Sequence, residues 1–277
     1  FADDCGCCAF ETTCKVRSFN HTTILCEMQP GQGTDLEISV TVNGEVSGGR
    51  AGATPVAFSF MPPTILDMSP LSSPTRGGTV VTIVGTSFGS KDAIVEFLGD
   101  TSTSAQGSAL ADTIGPISLS AHNHTHISFV VPEGQGHDRR VRVTVGGQST
   151  IYGAASFHYD APSFTKIVQP EGCMTQVRTI ACGSPTQGGF LLDFQGKNFG
   201  VRGGGAKVVV GGTMCCDSAS KSCDSIFSLA PYTDCACCVK SQTHESIKVL
   251  APSGIGSAAP TLLTYGNGYK GWNFNTE

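Results

Sequence analysis

The sequence predicts an all-β chain of tandem sandwiches. Three observations carry that prediction: a strand-and-turn unit written more than once, a composition poor in helix signals, and apolar residues that alternate with polar ones. The unit opens as Gly77-Gly78-Thr79-Val80-Val81-Thr82-Ile83-Val84-Gly85-Thr86-Ser87-Phe88-Gly89. It is written again as Gly188-Gly189-Phe190-Leu191-Leu192-Asp193-Phe194-Gln195-Gly196-Lys197-Asn198-Phe199-Gly200. The glycines and the Phe-Gly pair keep register while strand formers fill the interval, so what repeats is a backbone shape rather than a reactive group. Charged residues are only 14% of the 277 and glycines number 35, which suits short strands joined by tight turns, and no window sustains a 3.6-residue period.

A second half of the unit occurs three times. Pro30-Gly31-Gln32-Gly33, Pro132-Glu133-Gly134-Gln135-Gly136 and Pro252-Ser253-Gly254-Ile255-Gly256 each feed a β-run: Val40-Thr41-Val42-Asn43-Gly44, Val143-Thr144-Val145-Gly146-Gly147 and Leu263-Thr264-Tyr265-Gly266-Asn267. In Val141-Arg142-Val143-Thr144-Val145 the alternation sets one face on an opposite sheet and the other in water. Ile38, Val40 and Val42 are expected on one side of such a strand. Aromatic strands close the units at Phe58-Ser59-Phe60, Phe157-His158-Tyr159 and Trp272-Asn273-Phe274, and Phe88 and Phe199 are expected to turn inward.

Counting halves gives two complete units, 61–161 and 162–277, after a partial one at 1–60 that holds the second half only. The expectation is that the chain begins inside a module. The missing half then comes from a preceding stretch of a longer polypeptide or from a neighbouring chain, because an incomplete sandwich leaves strand edges and apolar surface uncovered. Boundaries fall at Met61-Pro62-Pro63 and Asp160-Ala161-Pro162, short proline junctions that restrict hinging.

The net charge of -5 and pI near 5.8 leave no basic patch of the kind nucleic acid needs, and Arg139-Arg140-Val141-Arg142 reads as a solvated face. The apolar runs are of strand length, so no membrane span is expected within the chain and any anchor lies outside it. Thirteen cysteines, many in adjacent pairs, are too many for a reduced cytosolic domain that binds no metal. Asp4-Cys5-Gly6-Cys7-Cys8 matches Asp234-Cys235-Ala236-Cys237-Cys238, which follows Cys215-Cys216 and Cys223. A thiolate-rich metal cluster is the competing reading, because Cys-x-Cys-Cys and Cys-Cys resemble thiolate-rich sites. Disulfides are expected throughout: Cys173 with Cys182, three bridges among the six cysteines from 215 to 238 with Cys215 and Cys216 taking different partners, and bridges involving Cys5, Cys7, Cys8, Cys14 and Cys26. Two sequons, Asn20-His21-Thr22 and Asn123-His124-Thr125, mark Asn20 and Asn123 for N-linked glycans. Cysteines and sequons together place the chain outside the cell or on its surface.

The turn, strand and Phe-Gly pattern resembles the IPT/TIG domain, an immunoglobulin-like β-sandwich. Residues 63–159 carry it throughout, in Pro63, Gly77, Gly78, Gly85, Phe88, Gly89, Pro132, Gly134, Gly136, Val143, Val145 and Gly146. Residues 162–274 carry it with insertions and residues 20–60 carry its second half. The resemblance implies tandem immunoglobulin-like sandwiches of IPT/TIG type, the first one partial. It does not fix a function, because such sandwiches serve receptors, surface proteins, carbohydrate-active enzymes and some transcription factors. The cysteine-rich insertion at 213–239 departs from the family pattern.

Candidate sites are few. His122, His124 and His126 alternate, and on one strand their imidazoles share a face that could hold a transition metal; the competing reading is an exposed polar loop bearing the Asn123 glycan. No nucleophile elbow, carboxylate pair or phosphate loop is present, and Gly203-Gly204-Gly205-Ala206-Lys207 reads as a flexible turn. The expectation is a non-enzymatic structural or adhesive extracellular protein without cofactor, a repeating segment of a glycosylated surface filament or flagellar-hair-like appendage that associates with its own copies or with adjoining modules. The ectodomain of a receptor or adhesion molecule is the alternative, and an accessory sandwich of a secreted carbohydrate-active enzyme the third.

Overall fold

The computed structural model describes residues 14–47, 56–99, 113–168, 188–201, 207–210, 213–216, 237–251, 261–265 and 269–270, and among them every regular element is a strand. In the first block, β1 (Lys15–Phe19) and β2 (Ile24–Glu27) form an antiparallel hairpin whose base is tied by a Cys14–Cys26 disulfide, with Cα atoms 5.6 Å apart. β3 (Leu36–Ile38) pairs with β6 (Val56–Phe58), while β4 (Thr41–Val42) folds back on β5 (Glu45–Val46). That fold-back turns on Asn43-Gly44, both at positive φ (49° and 89°), the conformation a two-residue hairpin needs to match strand twist.

One expectation for this block fails. Ile38, Val40 and Val42 do not line a single strand, because the backbone leaves the ladder between Ile38 and Thr41, where Val40 N donates to Ser47 Oγ and Ser47 N to Val40 O. All three sheets of the block are two-stranded, and no described apolar residue between 14 and 60 is buried; Phe19 is 79% and Val42 64% exposed. Isolated pairs of strands are marginal on their own.

The second block is a closed sandwich. Its strands are β7 (Thr64–Ser69), β8 (Ser72–Ser73), β9 (Val80–Thr86), β10 (Ile94–Leu98), β11 (Ile114–Ile117), β12 (Leu119–His122), β13 (His126–Val130), β14 (Arg140–Val145), β15 (Gln148–Ile151) and β16 (His158–Tyr159). One sheet runs β12-β13-β9-β7 and the other β11-β10-β14-β15, with β8 and β16 paired in parallel at the edge. The alternation read in the sequence decides which residues meet between the sheets: Val81, Ile83, Ile127 and Phe129 from one, Val95, Phe97, Val141 and Val143 from the other, all fully buried. Phe97 stacks on Phe157 at a centroid distance of 4.4 Å and meets Phe129 edge-on, so the aromatic closing strand caps the same core. Arg139, expected on a solvated face, is instead buried: its backbone bridges Phe157 and its guanidinium Nε donates to Gln135 O at 2.7 Å.

The third block repeats this topology. β17 (Ser163–Val168), β18 (Leu191–Lys197), β19 (Lys207–Val210), β20 (Thr213–Cys216), β21 (Cys237–Gln242), β22 (Ser246–Leu250), β23 (Thr261–Tyr265) and β24 (Tyr269–Lys270) run in the order β17-β18-β22-β21-β20-β19-β23-β24. The first four match β7-β9-β13-β12 and the last four match β11-β10-β14-β15 strand for strand. The difference is a parallel β20–β21 pairing that joins the two halves into one ladder. Leu192, Phe194, Phe199, Ile247 and Val249 form its buried centre. Phe88 and Phe199 both turn inward as expected.

Candidate functional site

The residues that could meet a partner gather at three equivalent hairpin turns and at the two joints between blocks. At the first turn Asn20 Oδ1 accepts from Thr22 N and Thr23 N, both at 2.8 Å, and from Thr22 Oγ1 at 3.1 Å. Asn123 Oδ1 does the same with Thr125 N and His126 N, both at 2.9 Å, and with Thr125 Oγ1 at 3.1 Å. In each turn the Asn backbone N–H closes the loop on the carbonyl of the fourth residue, Thr23 or His126. The sequon threonine is therefore part of the turn, and both Asn side chains are held by their oxygen in an exposed loop. The third turn, Thr243-His244-Glu245-Ser246, keeps the geometry with a threonine in place of asparagine: Thr243 Oγ1 accepts from Ser246 N at 3.0 Å and Thr243 N bonds Ser246 O.

The second position of all three turns is histidine: His21, His124 and His244. His244 is in use. Its Nδ1 shares a 2.8 Å hydrogen bond with Thr75 Oγ1 of the second block, its Nε2 lies 3.5 Å from Glu133 Oε2, and the adjoining Glu245 meets Arg76 at 2.9 Å. The rest of that joint is polar as well. Val201 N donates to Gln135 Oε1 at 3.1 Å, Asn198 Oδ1 accepts from Thr75 N at 3.3 Å, and Asn198 Nδ2 donates to Ala161 O at 3.2 Å. Gly200, at φ +68°, lets Gln135 come in; a Cβ there would overlap Gln135 Oε1.

The first joint is built from the same parts. Gln32, at the position of Gln135 in its own Pro-Gly turn, donates from Nε2 to Lys91 O at 3.0 Å, and a Cβ on Gly89 would overlap its Oε1. Gln148 Nε2 donates to Phe60 O at 3.1 Å. What differs is the space around the histidine: His124, with Pro30, Gln32, Phe60, Met61 and Gln148, borders an open cavity of about 430 Å³.

His122, His124 and His126 do not share a strand face. His122 ends β12 and bonds Phe88 O at 2.7 Å, His124 sits in the turn, and His126 begins β13 with its Nδ1 on Thr125 Oγ1; among the described residues no cluster of His, Cys, Asp or Glu could hold a metal. Cys5, Cys7, Cys8, Cys173, Cys182, Cys223, Cys235 and the Trp272 strand lie outside the described residues. The backbone of β20 and β21 sets Cys215 opposite Cys237 and Cys216 opposite Cys238. Sequence reasoning missed the third turn and the joint. The signals were present: a histidine after each turn-forming residue, and Ser73-Pro74-Thr75-Arg76-Gly77-Gly78 repeated as Ser184-Pro185-Thr186-Gln187-Gly188-Gly189.

The model of the IPT/TIG domain matches residues 10–60 and 63–159, together more than half of the chain. No curated protein matches. Among solved structures, the full extracellular region of plexin A4 is 17% identical with a TM-score of 0.31, over 88% of this chain and 18% of that one. The surface glycan-binding protein PbSGBP-B from Prevotella bryantii is 14% identical with a TM-score of 0.33, over 71% of this chain and 55% of its own. SGBP-B from a xyloglucan utilization locus in Bacteroides uniformis is 16% identical with a TM-score of 0.27, over 73% and 46%. The chain thus spans less than a fifth of the plexin region and about half of each glycan-binding protein.

Proposed function

The chain belongs to the IPT/TIG domain family, and we propose that it is a non-enzymatic extracellular segment whose work is structural or adhesive: a glycosylated, disulfide-linked repeat of a surface filament or flagellar-hair-like appendage. The observation that carries this reading is the repeated joint. In both junctions a glutamine from the Pro-Gly turn of one module seats on the glycine of the Phe-Gly pair of the next. A joint used twice with the same contact sets a constant offset between modules, which a filament subunit or spacer needs and a catalytic domain does not. Hydrogen bonds and the exposed Arg76–Glu245 ion pair fasten the second joint, so directional polar contacts set its geometry. The two sequon turns support an extracellular setting, since each presents its asparagine on an exposed hairpin tip.

Electron microscopy and small-angle scattering of the glycosylated chain test the proposal. An elongated particle with even module spacing and concentration-dependent association is expected. A freely hinging particle that stays monomeric at all concentrations overturns the filament reading and leaves the receptor or adhesion ectodomain as the better one.

A further inference from the structure

The second joint holds a titratable ring at its centre. His244 lies in the turn between β21 and β22, and its carbonyl accepts from Phe199 N at 3.0 Å, so the third module fixes its backbone. Thr75 is buried, and its carbonyl accepts from Gly134 N at 2.9 Å, so the second module fixes that residue in turn. The bond between Thr75 Oγ1 and His244 Nδ1 thus joins two held positions, one on each module. The other ring nitrogen is enclosed: Nε2 makes no hydrogen bond among the described residues, and Glu133 Oε2 of the second module lies 3.5 Å from it. The ring is 13% exposed and the Glu133 side chain 69%.

Imidazole chemistry decides what this arrangement can do. A neutral ring carries one N–H and one bare nitrogen, whereas the charged ring donates from both. If Nδ1–H donates to Thr75, the neutral ring sets the Nε2 lone pair against a carboxylate, which is repulsive. If Nδ1 accepts from Thr75, Nε2–H meets Glu133 but without a net charge. Imidazolium alone donates to Thr75 and Glu133 together and meets the carboxylate with opposite charge. Arg76, next to Thr75, is the cation that opposes a charged ring, and Glu245 of the His244 turn takes it up at 2.9 Å. Gln135 and Asn198, which complete the joint, do not titrate.

We propose that His244 and Glu133 make the second joint a proton-operated clasp, which holds the second and third modules most firmly when the imidazole is charged. A bond made only by the charged ring is present at acid pH and lost as pH rises through the range in which histidine titrates, about 5 to 8. The first joint lacks the device: Pro30 and Gly31 precede Gln32 where Glu133 and Gly134 precede Gln135, so His124 has no carboxylate at the equivalent place. The clasp does not depend on whether the chain serves a filament or a receptor.

Amide exchange of the full chain tests the clasp. The N–H groups of Val201 and Thr75 donate across the joint to Gln135 and Asn198, so their protection reports its opening. It is measured from about pH 5 to 8, corrected for the intrinsic pH dependence of exchange, with the β13 amides of the second block as reference. One partner of the pair is exposed and screened, so protection at the acid end is expected to exceed that at the alkaline end by roughly two- to five-fold. Glu133→Gln and His244→Gln should each abolish the pH dependence and leave the alkaline level throughout. Glu133 is exposed, so Glu133→Gln carries the test if His244→Gln fails to fold. Protection that stays flat or falls on acidification, or that rises equally in Glu133→Gln, overturns the proposal.

Discussion

Gln135 and Gly200 meet across the second joint at closer range than any side chain on residue 200 would allow: the glutamine Oε1 that receives Val201 N would clash with a Cβ there. Gln32 and Gly89 repeat the relationship at the first joint. A glycine at positive φ thus sets both the exit of a strand and the docking of the preceding module. Gly200→Val should strain the backbone and push Gln135 away, costing about 1–3 kcal/mol in the stability of the third module. Urea unfolding and limited proteolysis at the joint measure it; a variant that unfolds and cleaves like the parent removes this account of the joint.

His244 and Thr75 fasten the same joint from the other side. Thr75→Val leaves His244 facing an apolar group, with an expected loss of roughly 0.5–1.5 kcal/mol for the bond and a wider spread of module orientations by residual dipolar couplings. Arg76→Ala removes an exposed ion pair and should change stability by less than about 1 kcal/mol. Equal effects for the two variants would place the fastening in surface charge rather than in the buried hydrogen bond.

Asn20 and Asn123 are expected to carry N-linked glycans, each seen as added mass that an endoglycosidase removes. The oxygen of Asn123 holds three bonds of its turn, so Asn123→Ala should destabilise the second module by about 1 kcal/mol, more than Asn123→Asp, whose side chain still accepts them. Unmodified asparagines in protein secreted by a glycosylating host would count against the extracellular assignment.

Cys14 and Cys26 are separated by 12 residues, and closing a loop of that size restricts the unfolded chain by up to about 3 kcal/mol. Cys26→Ser should therefore loosen the β1–β2 hairpin selectively, read as faster amide exchange at Lys15–Glu27 with the second block unchanged. Peptide mapping under non-reducing conditions should also join Cys215 to Cys237 and Cys216 to Cys238, the pairs that the β20–β21 register sets side by side. Free thiols at all four would show that the register is held by the backbone alone.

Phe97 is stacked on Phe157 and edge-on to Phe129, and all three rings are fully buried. Phe97→Ala should cost about 3–5 kcal/mol, and Phe97→Leu far less, since it leaves a smaller void. Chemical denaturation of the two variants makes the comparison.

Period-two alternation and the glycine positions determined the sandwich from the sequence alone. Val141, Val143 and Val145 turn inward because a strand permits nothing else, and Gly77-Gly78 and Gly188-Gly189 recur because their positive φ values suit no other residue as well. Tertiary structure decided what local pattern could not. Arg139 reads as a surface cation beside Arg140 and Arg142, yet its backbone bridges Phe157 and draws it inside against Gln135 O. His122, His124 and His126 read as one strand face, but Asn123 accepts three hydrogen bonds and bends the chain into a hairpin between them. His244 resembles an ordinary loop histidine until the fold carries Thr75 to it from 169 residues away, a contact that no local spacing encodes because it depends on how one module seats on the next.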